Sequence, residues 1–412
     1  MEKNVFGCAA MRRARAIGTL AMSVTLFAAA GCGDDGAVNP VDVSSSSASS
    51  GGGGTGGSGG SGGSGGACLD ASAFADLFSI EAPDLCAVAI FDAAVDLGGF
   101  AVPTWGRHGG PLTVSAGSSG SLVVTRWEVP ASSMGSLKAL STTIPADVPD
   151  GAFPGAQAID LPFFGWTAVS WSGAFPSIEG EVILAKGAAI DQRYDVQSFF
   201  AGAAVAAGSG QGRLLYTGLS PLEDPAVSTS ALYAADSCGA EESQPRLLPE
   251  GDASCGSPVQ VAAWGEFSGP VAADRDGNVF AVMSSFSTGD QEARGFAAST
   301  IARGAPATSG DLLFKLPGFG MSLAALAPEA SDGAGLVVFQ PSDGMAGPLD
   351  AIGQRYRVEG PSVKPEGAPK TLLKLAKPAT SLALLTDAEE RLWVGSPVSG
   401  ATRFVVIARA LP

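Results

Sequence analysis

The sequence contains a single histidine, His108, among its 412 residues. A Ser-His-Asp or Cys-His catalytic arrangement would have to use this imidazole, and no nucleophile motif outside a Gly/Ser-rich segment accompanies it. The sequence also lacks a P-loop, a dinucleotide-binding fingerprint that opens a helix, and an HExxH zinc motif. We therefore predict no catalytic residue, no cofactor site and no metal ligand, and we expect His108 to lie in a solvated loop.

Charged residues are also scarce, at 16% of the chain, and 40 acids against 24 bases give a formal net charge of −16. Because no basic stripe is present, counterion release cannot drive binding to nucleic acid. The same negative charge disfavours docking on anionic lipid. The composition predicts no nucleic-acid partner and leaves cationic partners allowed.

A long apolar run that could span a bilayer, which takes about 20 residues, is missing from the N-terminus. Residues 16–30 are mostly apolar, follow a segment with four bases and one acid, and end in Ala-Ala-Ala, with Gly31 between them and Cys32. This order is that of an export signal, and the junction resembles the lipobox of bacterial lipoproteins, with Ala29 where that family usually has Leu. The resemblance implies that residues 1–31 are a signal peptide and that Cys32 carries lipid.

Lipid on Cys32 would anchor the chain stably, since several acyl chains bury many methylenes at about 0.8 kcal/mol each. Gly33 follows the cysteine, and the acids come at Asp34 and Asp35. The resemblance therefore implies that the protein is sorted to the outer membrane of a Gram-negative envelope in preference to the inner membrane. It leaves open which face of the envelope the protein occupies.

A flexible tether is predicted at residues 32–67. Every residue from 44 to 66 is Ser, Gly, Ala or Thr, so this segment has nothing to bury that would offset the entropy of folding. The remaining residues, 68–412, are predicted to form the folded domain.

Four cysteines follow the tether, Cys68, Cys86, Cys238 and Cys255. An even number of cysteines in an exported chain favours disulfides. We predict the two local pairs, Cys68 with Cys86 and Cys238 with Cys255, among the three connectivities that four cysteines allow. A zinc site is the alternative, but neither pair has the close spacing of zinc ligands.

The domain is predicted to be all-β, because short apolar runs alternate with Gly, Pro, Asp and Ser. One short helix is expected between residues 68 and 86, where Phe74, Leu77 and Phe78 recur at helical spacing. The strand-like runs are residues 86–91, 121–126, 181–186, 213–216, 231–234, 279–283, 336–339 and 392–394.

Internal repeats indicate the architecture. Pairs of similar stretches recur at an offset of about 57 residues, with about four strands in each unit, and this pattern is typical of a β-propeller. We predict about six blades, closed by pairing of residues 87–91 with the C-terminal strand, and a paired β-sandwich is the alternative. The matched stretches are 313–316 with 372–375, 322–326 with 381–385, 336–338 with 392–394 and 354–358 with 402–406, and a weaker copy lies at 271–282.

Two further stretches have competing interpretations. Residues 274–278, Asp-Arg-Asp-Gly-Asn, have some features of a calcium loop but lack its full set of oxygen ligands, so a hairpin turn is favoured. Residues 161–176 are rich in aromatic side chains, which favour a buried core over a surface that binds sugar or protein.

Three functions remain open. The first is a non-enzymatic envelope lipoprotein that presents loops, such as residues 341–354 and 358–370, to a protein or a glycan. The second is a carboxylate-dependent hydrolase outside the cytoplasm, because two carboxylates can hydrolyse a glycosidic bond. The third is a structural component of an envelope assembly. Propellers host all three classes, so the fold does not choose among them.

Overall fold

The computed structural model shows an almost purely β protein. The described part of the chain contains 26 strands and two three-residue 3-10 helices, Ala71–Ala73 and Ser118–Gly120. The structure describes residues 68–95, 103–106, 108–148, 153–160, 167–172, 180–195, 204–207, 213–219, 230–236, 259–264, 267–285, 288–301, 309–329, 332–343, 347–378 and 380–409.

The strands form six largely antiparallel sheets, which we number I to VI along the chain. Sheet I consists of β3 (Thr104–Gly106), β4 (Gly110–Ala116), β5 (Leu122–Glu128) and β7 (Lys138–Ile144). Sheet II consists of β8 (Phe153–Asp160), β9 (Thr167–Ser172), β10 (Gly180–Lys186) and β11 (Ala189–Asp195). Sheet III consists of β12 (Ala204–Ala207), β13 (Arg213–Leu219), β14 (Ser230–Asp236) and β15 (Val259–Ala263).

The second half of the chain repeats this arrangement. Sheet IV consists of β16 (Phe267–Ala273), β17 (Val279–Ser284), β18 (Asp290–Phe296) and β19 (Asp311–Pro317). Sheet V consists of β20 (Phe319–Leu326), β21 (Gly335–Ser342), β22 (Ala351–Glu359) and β23 (Ser362–Leu375), with β1 (Phe78–Ile80) added. Sheet VI consists of β24 (Ala383–Thr386), β25 (Leu392–Val398), β26 (Ala401–Arg409) and β2 (Leu85–Ala93), with β6 (Met134–Ser136) added.

The sheets form a closed ring. The first strand of each sheet contacts the first strand of the next, from β3 through β8, β12, β16, β20 and β24 and back to β3. This arrangement is a β-propeller, so the predicted fold class is confirmed. The alternative prediction, a paired β-sandwich, is wrong, because the sheets surround an axis and do not face each other in two layers.

An N-terminal strand closes the ring, as the sequence predicted. β2 pairs antiparallel with β26, from Leu85 opposite Arg409 to Ala93 opposite Thr402. The side chain of Arg403 on β26 donates to Asp92 on β2 at 2.8 Å. Sheet VI therefore draws its strands from both ends of the domain, which removes an open edge from the last blade.

The internal repeats mark equivalent strands. Each matched pair falls on strands at the same position of consecutive sheets: the fourth strands β19 and β23, the first strands β20 and β24, the second strands β21 and β25, and the third strands β22 and β26. The repeat is therefore one four-stranded sheet, because each sheet buries both faces and needs the same apolar pattern. The middle strand β17 shows this most clearly, since all six of its residues are buried.

The expected N-terminal helix is wrong. Phe74, Leu77 and Phe78 are buried, but the only helical turn among the residues described between 68 and 86 is the short 3-10 helix. Phe78 begins β1, which pairs with the outer edge of β23. Main-chain pairing at that edge outweighs the helical spacing of the three apolar residues. No helix in the described part of the chain is long and apolar enough to cross a membrane.

Candidate functional site

The structure tests one of the two predicted cysteine pairs. Cys68 and Cys86 form a disulfide, with their Cα atoms 5.6 Å apart, and this pairing is confirmed. The bond joins the first described residues to β2. Cys32, Cys238 and Cys255 lie outside the described residues, so the lipid site and the second disulfide stay predictions.

The turn between β16 and β17 contains the acidic motif at residues 274–278. The Asp274 carboxylate accepts from the main-chain N–H of Asn278 at 2.9 Å, and the Asn278 side-chain oxygen accepts from the N–H of Ala298 at 3.1 Å. Gly277 has φ +84°, which a side chain would disfavour. The predicted hairpin turn is confirmed, and no metal-binding group of three His, Cys, Asp or Glu residues is present among the described residues.

Asp274 also reaches the neighbouring sheet. Its Oδ2 atom lies 2.5 Å from the hydroxyl oxygen of Tyr356, on β22 of sheet V, and accepts from the side-chain amide of Asn278 at 2.8 Å. Both Asp274 and Tyr356 are buried. Burial raises the pKa of Asp274 in spite of these hydrogen bonds, and burial together with the carboxyl raises the pKa of Tyr356.

The turn between β24 and β25 of sheet VI meets the same region. Glu390 has φ +60°, a left-handed conformation that is uncommon for a residue with a side chain. Its carboxyl accepts from the N–H of Ala327 at 2.5 Å, and the preceding carbonyl, that of Leu326, lies 3.0 Å from the Tyr356 hydroxyl. Burial raises the pKa of Glu390 above its ordinary value. One peptide group therefore connects the two carboxyls.

We call this arrangement the three-sheet junction. It comprises Asp274 of sheet IV, Tyr356 and the peptide group between residues 326 and 327 of sheet V, and Glu390 of sheet VI. Two of its members are carboxyl groups with raised pKa values. Such groups are common at functional sites but also occur in structural networks. The junction can hold a proton at a buried position that links three sheets.

An equivalent acidic turn in sheet VI has a different environment. Asp387 precedes β25 as Asp274 precedes β17, and its Oδ1 atom accepts from the N–H groups of Glu389 and Arg391, each at 2.9 Å. Its Oδ2 atom accepts from the Arg391 side chain at 2.7 Å and from the indole of Trp393 at 2.9 Å. All four partners are N–H donors, so an ionised carboxylate satisfies every contact of Asp387.

A second polar cluster joins sheets I and II around His108. The imidazole Nδ1 atom lies 3.8 Å from Asp160 at the end of β8, and Nε2 lies 3.2 Å from the carbonyl oxygen of Trp127. Arg126 on β5 donates to Asp160 at 2.8 Å and to the Thr167 hydroxyl at 2.7 Å. His108 lies in an exposed turn before β4, as predicted, but its side chain is only 20% exposed and faces these groups, which the prediction did not include.

Asp160 is the acidic centre of this cluster. Burial alone would raise its pKa, but His108, the positive charge and hydrogen bond of Arg126, and the Thr167 hydroxyl together lower it to about 2. The Thr104 hydroxyl of β3 adds another tie between the sheets by donating to the Ala158 carbonyl of β8. The cluster therefore holds an ionised carboxylate that fastens sheet I to sheet II.

The aromatic stretch at residues 161–176 is described only in part. Trp171 lies on β9, is buried, and donates from its indole to Glu181 at 3.1 Å. The core interpretation is confirmed for this residue. The other aromatic residues of the stretch, Phe163, Phe164, Trp166 and Phe175, lie outside the described residues.

The outer edge of sheet I is a largely exposed strand. In β7, five of seven residues are exposed, Thr142 is half-buried and Ile144 is buried, so both faces of the strand meet solvent. Met134 on β6 and Leu140 on β7, two of the five large apolar residues that are exposed in the described part of the chain, lie close together here at 49% and 45% exposure. We call residues 134–144 the rim segment.

Most of the other outer strands are protected in ways that β7 is not. The exception is β15 of sheet III, which also lacks charge, proline and a covering strand among the described residues but has Val261 and Ala262 buried. The outer edge of β23 is covered by β1, and that of β2 is covered by β6. β11 has charged residues at Asp191, Arg193 and Asp195. β19 has two buried apolar residues, Leu313 and Phe314, together with charged residues and a terminal proline. Charges, prolines and covering strands protect edges from pairing with other chains. β7 has one charged residue, Lys138, and no strand covers it among the described residues.

The sequence interpretation missed Tyr356, Asp160 and Asp387. Tyr356 and Asp160 contact groups that are 82 and 52 residues away in the chain, and no local spacing reveals such pairs. Asp387 had a visible signal, because it lies two repeat lengths after Asp274 and each has an aromatic residue six positions later.

Comparisons with known proteins agree with the fold and go no further. No protein-family model and no curated protein matches this chain. Similar solved structures include a PQQ-bound aldose sugar dehydrogenase from Streptomyces coelicolor (12% identity, TM-score 0.46, 78% of this chain and 97% of that one) and a glucose dehydrogenase (13%, 0.45, 79% and 99%). A lectin from Aleuria aurantia is also similar (10%, 0.43, 76% and 97%). At these identities the likeness concerns the fold alone.

Proposed function

We propose that this chain is an envelope-anchored lipoprotein whose propeller binds a partner protein through the rim segment. The observation that carries the proposal is the exposure of β7 on both of its faces, at a sheet edge that no described strand covers. The N–H and C=O groups along such an edge are spaced to pair with an extended polypeptide. A glycan offers no matching row of donors and acceptors.

The side chains of β7 suit an added strand. Ser141 and Thr143 are small or β-branched, and Leu140 provides an exposed apolar contact. Lys138 is the first residue of the strand. Its side chain is 72% exposed and forms an ion pair with Glu128. A partner strand therefore meets one cation at the start of β7 and neutral side chains along the rest.

A carboxylate-dependent hydrolase is supported less well. Asp160, Asp274 and Asp387, the most buried acids of the three polar clusters, each accept hydrogen bonds from several groups of the chain itself. These bonds occupy the oxygens that a hydrolase needs for water or substrate. A structural part of an envelope assembly would use the same rim segment, and the partner's identity distinguishes that role.

Co-purification of envelope proteins with this chain, from the cells that produce it, tests the binding surface. We expect Leu140→Lys to lower the amount of one abundant co-purifying envelope protein at least tenfold, because a cation replaces the apolar contact at the edge. Leu312→Lys is the matched control, since Leu312 is 50% exposed on the outer strand β19. Equal recovery of the partner with both variants would reject the rim segment as the binding surface.

The anchor is tested by fractionation. We expect Cys32→Ser to move the full chain from the membrane fraction to the soluble fraction, because the acyl chains on Cys32 provide the attachment. A Cys8→Ser variant, altered inside the proposed signal peptide, should remain with the membrane. Retention of Cys32→Ser in the membrane fraction would contradict lipid anchoring at this residue.

A further inference from the structure

The three-sheet junction contains more acceptor contacts than hydrogens when both of its acids are ionised. The Tyr356 hydroxyl oxygen lies 2.5 Å from Asp274 Oδ2 and 3.0 Å from the Leu326 carbonyl oxygen. A phenol has one hydrogen to donate. If Asp274 is ionised, that hydrogen goes to the carboxylate, and the Leu326 carbonyl faces a hydroxyl oxygen without a hydrogen bond.

A proton on Asp274 resolves this conflict. The carboxyl then donates from Oδ2 to the Tyr356 oxygen, and Tyr356 donates its own hydrogen to the Leu326 carbonyl. Asp274 Oδ1 continues to accept from the Asn278 N–H. Each short contact becomes a hydrogen bond, and Asp274 no longer places a buried charge beside Tyr356. We propose that Asp274 is protonated in the folded protein and that its bond to Tyr356 is a proton-dependent contact between sheets IV and V, which weakens as the pH rises.

The acidic groups around the junction oppose ionisation of Asp274. Asp276, on the same turn as Asp274, and Glu390, on the turn of sheet VI, both place negative charge near Asp274. The positive charges of Arg275 and Arg409 act on Glu390, where they partly offset the rise in pKa that burial causes. Arg409 is also held by Glu329 at 3.0 Å. Ionisation of Asp274 would therefore add a buried charge next to other acids.

The Leu326 carbonyl and Ala327 N–H extend the effect to sheet VI. The N–H of Ala327 donates to Glu390, so a hydrogen bond from Tyr356 to the carbonyl polarises the peptide and strengthens that donation. Loss of the proton from Asp274 removes the bond to the carbonyl and weakens the contact to Glu390. The proton on one turn thus controls contacts among three neighbouring sheets.

The sign of the pH dependence follows. Burial raises the pKa of Asp274 in the folded chain above its ordinary value of 3.8. A carboxyl with a raised folded-state pKa contributes stability that is complete below the ordinary value and is lost as the pH rises through the folded-state value. The junction is therefore tightest in acid.

Infrared difference spectroscopy of the full chain in detergent tests the proposal. At pH 6 ordinary carboxyls are ionised, so the carbonyl stretch of a protonated carboxylic acid reports only acids with raised pKa values. We expect this band in the wild-type protein and a loss of intensity in Asp274→Asn, where only a contribution from Glu390 can remain. In Tyr356→Phe, where the acceptor is removed, the Asp274 part of the band should shift to higher frequency. Asp387→Asn is the matched control and should leave the band unchanged.

Several results would overturn the proposal. They are the absence of the band from the wild-type protein, its full wild-type intensity in Asp274→Asn, and its loss in Asp387→Asn. If Asp274→Asn does not fold, two readouts remain, the disappearance of the band during a pH titration of the wild-type protein and its shift in Tyr356→Phe. A band that neither titrates nor shifts would contradict a proton shared between these residues.

Discussion

At the scale of single residues, three buried aspartates differ because their partners differ. Asp160 faces a guanidinium and an imidazole, Asp387 faces only N–H donors, and Asp274 faces a phenol that has a second acceptor beside it. Burial disfavours the charged form of a carboxyl, and it raises the pKa of Asp274, whereas positive charge and hydrogen bonds outweigh burial at Asp160 and lower its pKa. The polar partners therefore determine the direction of the pKa shift at these two aspartates.

The lowered pKa of Asp160 leads to a pH-dependent prediction. Its pKa of about 2 lies below the ordinary value of 3.8, so its contribution to stability is present above the ordinary value and is lost as the pH falls through about 2. We expect Asp160→Asn to lower the free energy of unfolding by about 2 kcal/mol at pH 7. Urea unfolding at pH 7 and at pH 2 measures this difference.

The control for this prediction is Asp191→Asn, because Asp191 is exposed on β11 of the same sheet. It should change the free energy of unfolding by less than about 0.5 kcal/mol at either pH. If Asp160→Asn and Asp191→Asn behave alike at pH 7, the cluster around His108 does not fasten sheets I and II.

Residue contacts were predictable from the sequence only where they are local. The hydrogen bonds within residues 274–278 follow from the turn chemistry of Asp, Gly and Asn. The contact of His108 with Asp160 joins two sheets, and nothing near His108 in the chain indicates an acid. The local sequence predicts only a solvated loop at His108, because the groups that its side chain contacts lie in other parts of the chain.

At the scale of strands, the repeats identified the fold and the order of its elements. Leu313 and Leu372 lie on fourth strands, and Ser322 begins a match that lies on a first strand, because the same apolar pattern recurs at the same depth of each sheet. The pairing of β2 with β26 was predictable from the need to cover the last edge. β1 and β6 were not, since each has three residues and no alternation to detect.

One expected loop is a strand pair instead. Residues 358–370, rich in Pro, Gly and Lys, were expected to form a loop, but β22 and β23 continue through them as a long hairpin that turns at Gly360. Pro365 is exposed on β23, and Pro369 lies where the register between β22 and β23 shifts. Prolines are compatible with an edge strand or a bulge because the strand there does not need every N–H for pairing.

At the scale of the whole molecule, the ring has a protected axis and an unevenly protected rim. Its first strands contact one another around the axis, and extra strands cover the outer edges of sheets V and VI. The rim segment contributes β6 to sheet VI and then continues as the uncovered strand β7. The chain therefore protects sheet VI with the same segment that leaves sheet I open, and we infer that the open edge is kept for a partner.

Photo-crosslinking in intact cells tests this inference most directly. A photoreactive amino acid at Ser141, in the middle of β7, should form a crosslink to one envelope protein, and Leu140→Lys in the same chain should abolish it. The same amino acid at Glu359, at an exposed hairpin end, should not form that crosslink. Crosslinks of equal yield at both positions, or none at Ser141, would contradict binding at the open edge, and a crosslink to a second copy of this chain would replace the partner protein with a dimer.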